Sequence, residues 1–408
     1  MQIALIIFIL TYIVIAVQNI PNIHISRPAG SLLGAVFMVL FGVLTLQEAY
    51  AAIDFNTMLF VLGMMIIVAY LEISGFFEIA ENFILQKAKN GTNLLFLLIF
   101  SSGLFSSLFM NDTMCLMLTP IVLRVTNRAG LRPIPYLIAL ATSSNIGSAM
   151  TIIGNPQNML IGLFSKIPFI SFVRILAPVS IIGLFINFYI IKWIYRKEIT
   201  SKPIKIIANQ NSLKLQKGLL TISLVAIILL LIFLSLGYNP PAVVMVLACF
   251  LILAGATKPR KVLEEVDWTL LLLFGGLFVV MRGIEKAGIT GIILNHVDSF
   301  LSGSALSQIS GISLTSALTS NVISNVPAVI LFSNIFKHLV ITDAIWLALA
   351  MSSTLAGNLT IIGSIANIIV FESAKEKVQV NFWEYFKVGL PLTFFTLTIG
   401  IIILLFTV

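Results

Sequence analysis

The sequence predicts an all-α polytopic membrane protein made of two inverted repeats, each with five transmembrane helices, one re-entrant hairpin and a discontinuous helix. Three observations carry this. Of 408 residues, 59% are hydrophobic and 10% are charged, with a mean hydropathy of +1.08; a soluble domain carries about 25% charged residues. Apolar runs recur along the whole chain at roughly the 20-residue length that crosses a bilayer. Several Pro, Gly, Asp, Glu and Asn residues of the first half return in the second at a nearly constant spacing.

Apolar runs place spans near 3–18, 29–46, 56–73, 136–164, 174–192, 219–236, 241–256, 268–284, 345–371 and 388–407. Residues 1–17 lack a basic n-region and a small-residue cleavage site, so they read as a first span and not a cleaved signal. Two further apolar regions, 92–126 and 303–336, are interrupted by polar tips, Asn111-Asp112-Thr113 and Ser324-Asn325. These read as re-entrant hairpins; two full spans each is the alternative, and charge counting does not separate the two. Cys115 and Cys249 lie in apolar stretches and form no disulfide or metal pattern.

Lys and Arg concentrate in cytoplasmic loops. The segment Lys192 to Lys217 holds seven of them against the single acid Glu198. With that segment inside, 19 basic residues, Arg27 among them, fall inside and 5 outside, which puts both termini outside. This distribution accounts for the net charge of +8 without a nucleic-acid partner.

At an offset of 213, Pro28, Gly42, Asp54, Gly63, Glu72 and Gly75 meet Pro241, Gly255, Asp267, Gly276, Glu285 and Gly288. Pro178 and Pro391 share that offset, whereas Thr151 to Gly154 and Asn158 match Thr360 to Gly363 and Asn367 at 209. Repeats of this kind divide the chain into a first repeat at 1–195, a basic cytoplasmic linker at 196–218 and a second repeat at 219–408. An odd number of spans per half turns the second copy upside down, with a site expected at the membrane midplane.

Polar clusters mark that site. Thr142 to Ser148 runs on to Gly154-Asn155-Pro156-Gln157-Asn158, and Ser352 to Thr360 is followed by Gly363-Ser364 and Asn367. Gly, Pro, Ser and Asn together break a helix, and broken backbone in lipid is tolerated only around a protein-lined cavity. Close helix packing explains the small residues but not Asn145, Asn155, Asn158, Asn358 and Asn367 together. Asp112 is the one carboxylate placed deep in the membrane, where it binds a cation, takes a proton, or caps a helix. No Lys or Arg is expected at the midplane. Glu72 and Glu285 read as interfacial, Gly63 and Gly276 as packing residues, and His24, His296 and His338 show no metal spacing.

The segment ATSSNIGSAMTIIGNPQNMLIG at 141–162, with NDTMCLMLTP at 111–120, SNVISNVP at 320–327 and GNLTIIGSIAN at 357–367, resembles the ion transporter superfamily. Within it the likeness is to the citrate-transporter-like, arsenite-permease-like branch, with similarity also to divalent anion:sodium symporters. That resemblance implies scaffold and transport subregions, a homodimer and elevator-type alternating access. It implies cation binding by Asn111, Asp112, Thr113, Ser144, Asn145, Gly147, Ser324, Asn325, Gly357 and Asn358. It implies solute binding by Thr151, Asn155, Asn158, Thr360, Ser364 and Asn367.

The expected function is secondary active transport of a small inorganic anion or carboxylate, coupled to sodium or protons, in the plasma (inner) membrane of a prokaryote. Arsenite efflux, sodium/proton antiport at Asp112 and a passive channel are the alternatives. No P-loop and no nucleophile–base pair occurs, so the chain is not expected to be an enzyme. No cofactor is expected beyond bound sodium ions, and the partners are the solute and membrane lipid.

Overall fold

A computed structural model describes residues 1–16, 26–199, 215–255, 257–288, 303–336, 339 and 341–407, apart from the side chain of Leu85. Residues 200–214 of the expected linker, and His24, His296 and His338, lie outside the described residues.

Among the described residues the chain forms 19 α-helices. The first half contains α1 (Gln2–Ala16), α2 (Arg27–Leu40), α3 (Leu46–Ala52), α4 (Phe55–Ile73), α5 (Phe76–Lys87), α6 (Gly91–Leu108), α7 (Asn111–Arg128), α8 (Ile134–Ser148), α9 (Pro156–Ser165) and α10 (Phe169–Ile194). The second contains α11 (Lys217–Ser235), α12 (Pro240–Ala254), α13 (Pro259–Glu264), α14 (Trp268–Lys286), α15 (Ala305–Ile323), α16 (Asn325–Phe336), α17 (Asp343–Leu355), α18 (Ile365–Ala374) and α19 (Phe382–Thr407). Six of them, α4, α6, α10, α11, α14 and α19, are long and apolar enough to cross a membrane.

The helix starts show the duplication. α2, α3 and α4 return as α12, α13 and α14 shifted by 213 residues; α6 and α7 return as α15 and α16 shifted by 214; α8 and α9 return as α17 and α18 shifted by 209. The same local chemistry sets them. Asp54 Oδ1 accepts from Thr57 N at 2.8 Å to cap α4, and Asp267 Oδ1 accepts from Thr269 N at 3.0 Å to cap α14; such caps satisfy amide groups that a helix start leaves open. Gly75 and Gly288, just past the ends of α4 and α14, take φ values of 89° and 73° that favour glycine. Pro178 and Pro391 sit inside α10 and α19.

The two halves interlock. A Cβ on Gly63 of α4 would strike Val244 of α12, and one on Gly276 of α14 would strike the backbone of Ser31 of α2. Ser31 and Val244 are themselves 213 residues apart, so each repeat lends its α4-type glycine to the other repeat's α2-type helix. Both glycines serve packing, as expected.

Both broken spans are present, but the breaks come later than the polar clusters imply. Thr142 to Ser148 continues α8 as regular helix, and residues 149–155 form the break. Ser352 to Leu355 completes α17, and two short 3-10 turns, Ala356–Asn358 and Ile361–Gly363, precede α18. The hydroxyls there are satisfied inside the helix: Thr142 Oγ1 donates to Ile138 O at 2.7 Å, and Ser352 Oγ to Ala348 O at 2.6 Å, so burying them does not require the helix to break. Asn155 then caps α9 through Asn158 N at 2.8 Å, with Pro156 in its first turn. The short helices α3, α5 and α13 are additions that span counting does not detect.

Packing differs between the repeats at one place. On α6 and α8, Ser102 pairs with Ser143 at 2.5 Å and Ser106 with Ser144 at 2.7 Å. Between them a Cβ on Gly147 would collide with the backbone of Gly103. Ser316, Ser320, Ser352 and Ser353 repeat the serines in the second half, but Ala317 and Ala356 stand where Gly103 and Gly147 would be. Those added methyl groups hold α15 off α17, and the buried Ser316 and Ser320 hydroxyls have no hydrogen-bond partner among the described residues.

Gly147→Ala should lower thermal stability by about 3 kcal/mol or abolish folded yield, because the collision is with backbone. Gly275→Ala, with no atom within 4 Å of its added Cβ, should be close to neutral. Detergent-solubilised melting curves of the two variants check this.

Candidate functional site

The site lies where two hairpin tips meet two helix breaks. Each tip begins the second arm of its hairpin with an asparagine, Asn111 at the start of α7 and Asn325 at the start of α16, and both are buried. Asn111 N donates to Gly154 O at 3.0 Å, inside the first break. Ser144 Oγ of α8 donates to Asn111 O at 3.1 Å. The tip is thereby bonded to the middle of a spanning element, so 92–126 forms a re-entrant hairpin.

Asn145 is the hub. Its Nδ2 donates to Asn358 Oδ1 at 3.0 Å and to Asn367 Oδ1 at 2.9 Å. Its Oδ1 accepts from Asn111 Nδ2 at 3.2 Å and from Ser364 Oγ at 2.9 Å. An Asn side chain offers two donors and two acceptor sites, so Asn145 is saturated. In this arrangement both acceptor sites of its side-chain oxygen are occupied by protein donors.

The breaks repeat their internal bonding. Asn158 Nδ2 donates to Ser148 O at 3.2 Å and Thr151 O at 3.0 Å. Asn367 Nδ2 donates to Gly357 O at 2.7 Å and Thr360 O at 3.0 Å, the same carbonyls 209 residues on. Across the repeats, Asn155 Nδ2 donates to Thr354 Oγ1 at 3.3 Å, while Ser364 donates to Asn145. Asn155 corresponds to Ser364 and Asn145 to Thr354 at the 209 offset, so this pair of bonds obeys the pseudo-twofold.

A cavity of about 10 Å³ opens at this meeting point, room for a single water-sized particle. Asn111, Asp112, Gln157, Ser324, Asn325 and Ser364 provide its polar lining. Asn111 Oδ1 is buried with no hydrogen-bond partner among the described residues. Asp112 follows in the first turn of α7, and α7 has no side-chain cap, which removes the helix-cap alternative for this residue. An orphaned amide oxygen beside a carboxylate fits a hard cation such as sodium in ligand type.

Two larger cavities flank the centre. One, about 110 Å³, is lined by Glu72, Asp112, Thr113, Glu265 and Asp267. The other, about 470 Å³, is lined by Glu48, Asp54, Arg282 and Glu285. Asp54 and Glu285 of the second are the repeat counterparts of Asp267 and Glu72 of the first. In the larger cavity basic groups face the acids: Arg282 pairs with Glu285 at 2.8 Å and Lys286 with Glu48 at 2.6 Å. The Lys286 ammonium and the Thr45 amide pull the Glu48 carboxyl down to about 2, so it remains ionised at neutral pH. Among the described residues, carboxylates are the only charged lining of the smaller cavity. It also shares Asp112 and Leu270 with the central one.

One basic residue does reach the centre, contrary to expectation. Arg27 Nη1 donates to Ser324 Oγ at 3.3 Å and Nη2 to Ile362 O at 3.4 Å. The charge count places Arg27 in a loop; the structure makes it the first residue of α2, half-buried against the second hairpin tip.

Most expected residues converge. Asn111, Asp112, Ser324, Asn325 and Ser364 border the central cavity, and Asn145, Asn155, Asn358 and Asn367 form the bonds beneath it. Gly357 lies against Asn325. Thr151 and Thr360 hold the breaks, donating to Ser107 O at 2.5 Å and Asn321 Oδ1 at 3.3 Å. Thr113 faces the 110 Å³ cavity, and Gly147 faces α6 instead of the site. Sequence reasoning placed Gln157 and Thr354 inside the polar clusters and Asn321 inside the second-tip motif without giving them individual roles, placed Arg27 in a loop, and read Glu72 as interfacial. Nothing local marked Arg27.

Paired re-entrant tips and paired broken helices, on a duplicated helical frame, define a multi-pass membrane transporter. Residues 3–352 match the family model described as citrate transporter, and the chain belongs to that family. It is 30% identical to the silicon efflux transporter LSI3 of Oryza sativa subsp. japonica, over 94% of this chain and 93% of that protein. It is 26% identical to the putative transporter arsB of Dictyostelium discoideum, over 97% and 91%. It is 27% identical to the 46 kDa membrane protein of Mycobacterium leprae, over 98% and 96%. The Alcanivorax borkumensis YdaH transporter, whose crystal structure is described as revealing an unusual topology, shares the fold at a TM-score of 0.56 and 14% identity, over 99% and 96%.

Asn145→Ala would strand its four partners in a dry interior, so it should destabilise the protein by about 2–4 kcal/mol. Asn158→Ala, which removes bonds inside one break only, should cost less. Thermal unfolding of both in detergent gives the comparison.

Proposed function

We propose that this protein is a secondary active transporter that moves a small oxygen-rich anion, coupled to a sodium or proton gradient through Asp112. One observation carries the reading: both hairpin tips and both helix breaks surround a cavity of single-particle size that Asp112 borders. The orphaned Asn111 Oδ1 and Asp112 suit the cation or proton, and the buried Asn358 Nδ2, with no acceptor among the described residues, suits the solute.

Alternating access accounts for the two unequal cavities. The 110 Å³ cavity adjoins the centre through Asp112, whereas the 470 Å³ cavity shares no lining residue with it. With the basic loops inside and both termini outside, in the plasma membrane of a prokaryote, the smaller cavity faces the cytoplasm and this state is inward-facing. The helices α2–α4 and α12–α14 act as scaffold, and the hairpins and broken helices move as an elevator in a homodimer.

A second reading is favoured by the relative named a silicon efflux transporter, which matches nearly the whole chain. The same lining of amides and hydroxyls both donates and accepts, and so would also hold an uncharged oxyacid during export.

In proteoliposomes, solute movement by the wild type should collapse when the sodium and proton gradients are dissipated. Asp112→Asn should reduce gradient-driven accumulation about tenfold or more while leaving exchange at equal concentrations measurable. Accumulation by Asp112→Asn that equals the wild type would remove Asp112 from coupling.

A further inference from the structure

We propose that Arg27 is the anion-reading residue of this site: its guanidinium exchanges the second hairpin tip for an anionic oxygen of the solute. The inference rests on the transport reading above and adds the group that senses solute charge.

Four features support it. The guanidinium now donates to two neutral oxygens, Ser324 Oγ and Ile362 O, at 3.3 and 3.4 Å. Those are long for N–H···O bonds, which centre near about 2.9–3.0 Å. A carboxylate or oxyanion offers a stronger, charge-assisted acceptor, and the planar guanidinium fork can hold it through two bonds. Second, Ser324 also lines the central cavity, so the tip that Arg27 holds is the one that borders the site.

Third, the backbone of Ser324 is strained. Its φ of 75° with ψ of 159° is a region that glycine alone enters easily. The contact from Arg27 helps hold this conformation, and releasing the contact frees the tip to adjust around a bound solute. Fourth, the charges are not duplicated. Pro240 stands at the repeat position of Arg27, and Val326 at that of Asp112. The frame was copied, but the centre carries one basic group from α2 and one carboxylate from α7. These two attract each other across the site. A solute anion beside Arg27 and a cation or proton at Asp112 therefore offset one another's charge, and the pair can cross the bilayer together at lower electrostatic cost than either alone.

Arg27 also belongs to α2, whereas Ser324 and Ile362 belong to the hairpin and the break. The contact joins the frame to the elements proposed to move, so solute binding and release of the tip are one event.

The test uses purified full-length protein, with sulfate, phosphate and citrate as charged probes and silicic acid as the uncharged one. Saturable thermal stabilisation gives an apparent affinity for each. At least one oxyanion should stabilise the wild type, Arg27→Gln should weaken that affinity about tenfold or more, and Arg27→Lys should recover part of it. Silicic acid should be affected less. Unchanged oxyanion affinity in Arg27→Gln, with only a lower melting temperature of the unliganded protein, would make Arg27 a structural tie and overturn the proposal. If no oxyanion stabilises the wild type but gradient-driven movement of silicic acid persists, the anion role falls and the transport reading stands. If that movement is also absent, both fall.

Discussion

Everything at the centre of this protein depends on the four hydrogen bonds of one side chain, Asn145. Its amide joins the first hairpin tip at Asn111 to the second broken helix at Asn358, Ser364 and Asn367. In a membrane interior no water stands ready to replace a lost partner, so an unmet amide costs far more than at a soluble surface. Saturation of Asn145 is therefore what allows irregular backbone to exist at this depth. Asn158 and Asn367 extend the logic by closing each break onto two of its own carbonyls. The broken helices are consequently fixed structures, each held by an asparagine from the helix that follows it.

Duplication gave the molecule a symmetric frame, and its departures from symmetry carry the chemistry. Gly63 against α12 and Gly276 against α2 are one contact made twice. Gly103 and Gly147 allow backbone contact and close the Ser102–Ser143 and Ser106–Ser144 pairs in the first repeat. Ala317 and Ala356 keep the equivalent serines apart in the second. Among the described residues, the two serine pairs that fasten the first hairpin to its broken helix have no counterpart in the second. A looser second hairpin is consistent with its strained tip at Ser324 and with the contact that Arg27 makes there.

Charge is distributed by the same rule. Acids paired with Arg282 and Lys286 line the larger cavity, while Glu72, Asp112, Glu265 and Asp267 line the smaller one. The Asp54/Asp267 and Glu72/Glu285 pairs come from the duplication, and their different surroundings come from residues outside the repeat pattern. Membership of the citrate transporter family accords with a site for a small solute. The amide-rich lining suits the oxygen-rich solute proposed above.

The sequence alone determined the membrane setting, the two-repeat frame and the neighbourhood of the site. Hydrophobic length, matched Pro, Asp and Gly positions, and intramembrane Asn are local properties that survive without coordinates. Sequence spacing even separated the hairpin tips from the breaks, and Asn111, Asn145, Asn325, Asn358 and Asn367 do come together. The exact breaks were not legible, because Thr142 and Ser352 satisfy their hydroxyls within the helix and stay helical where propensity suggested interruption. Only the tertiary structure decided that Asn145 is saturated from the second repeat, that Asn155 reaches Thr354, and that Arg27 reaches the second tip. Each of those depends on contacts across about 200 to 335 residues of sequence. Side chains that distant meet only once the second copy has folded back against the first, and no local pattern in either copy records that meeting.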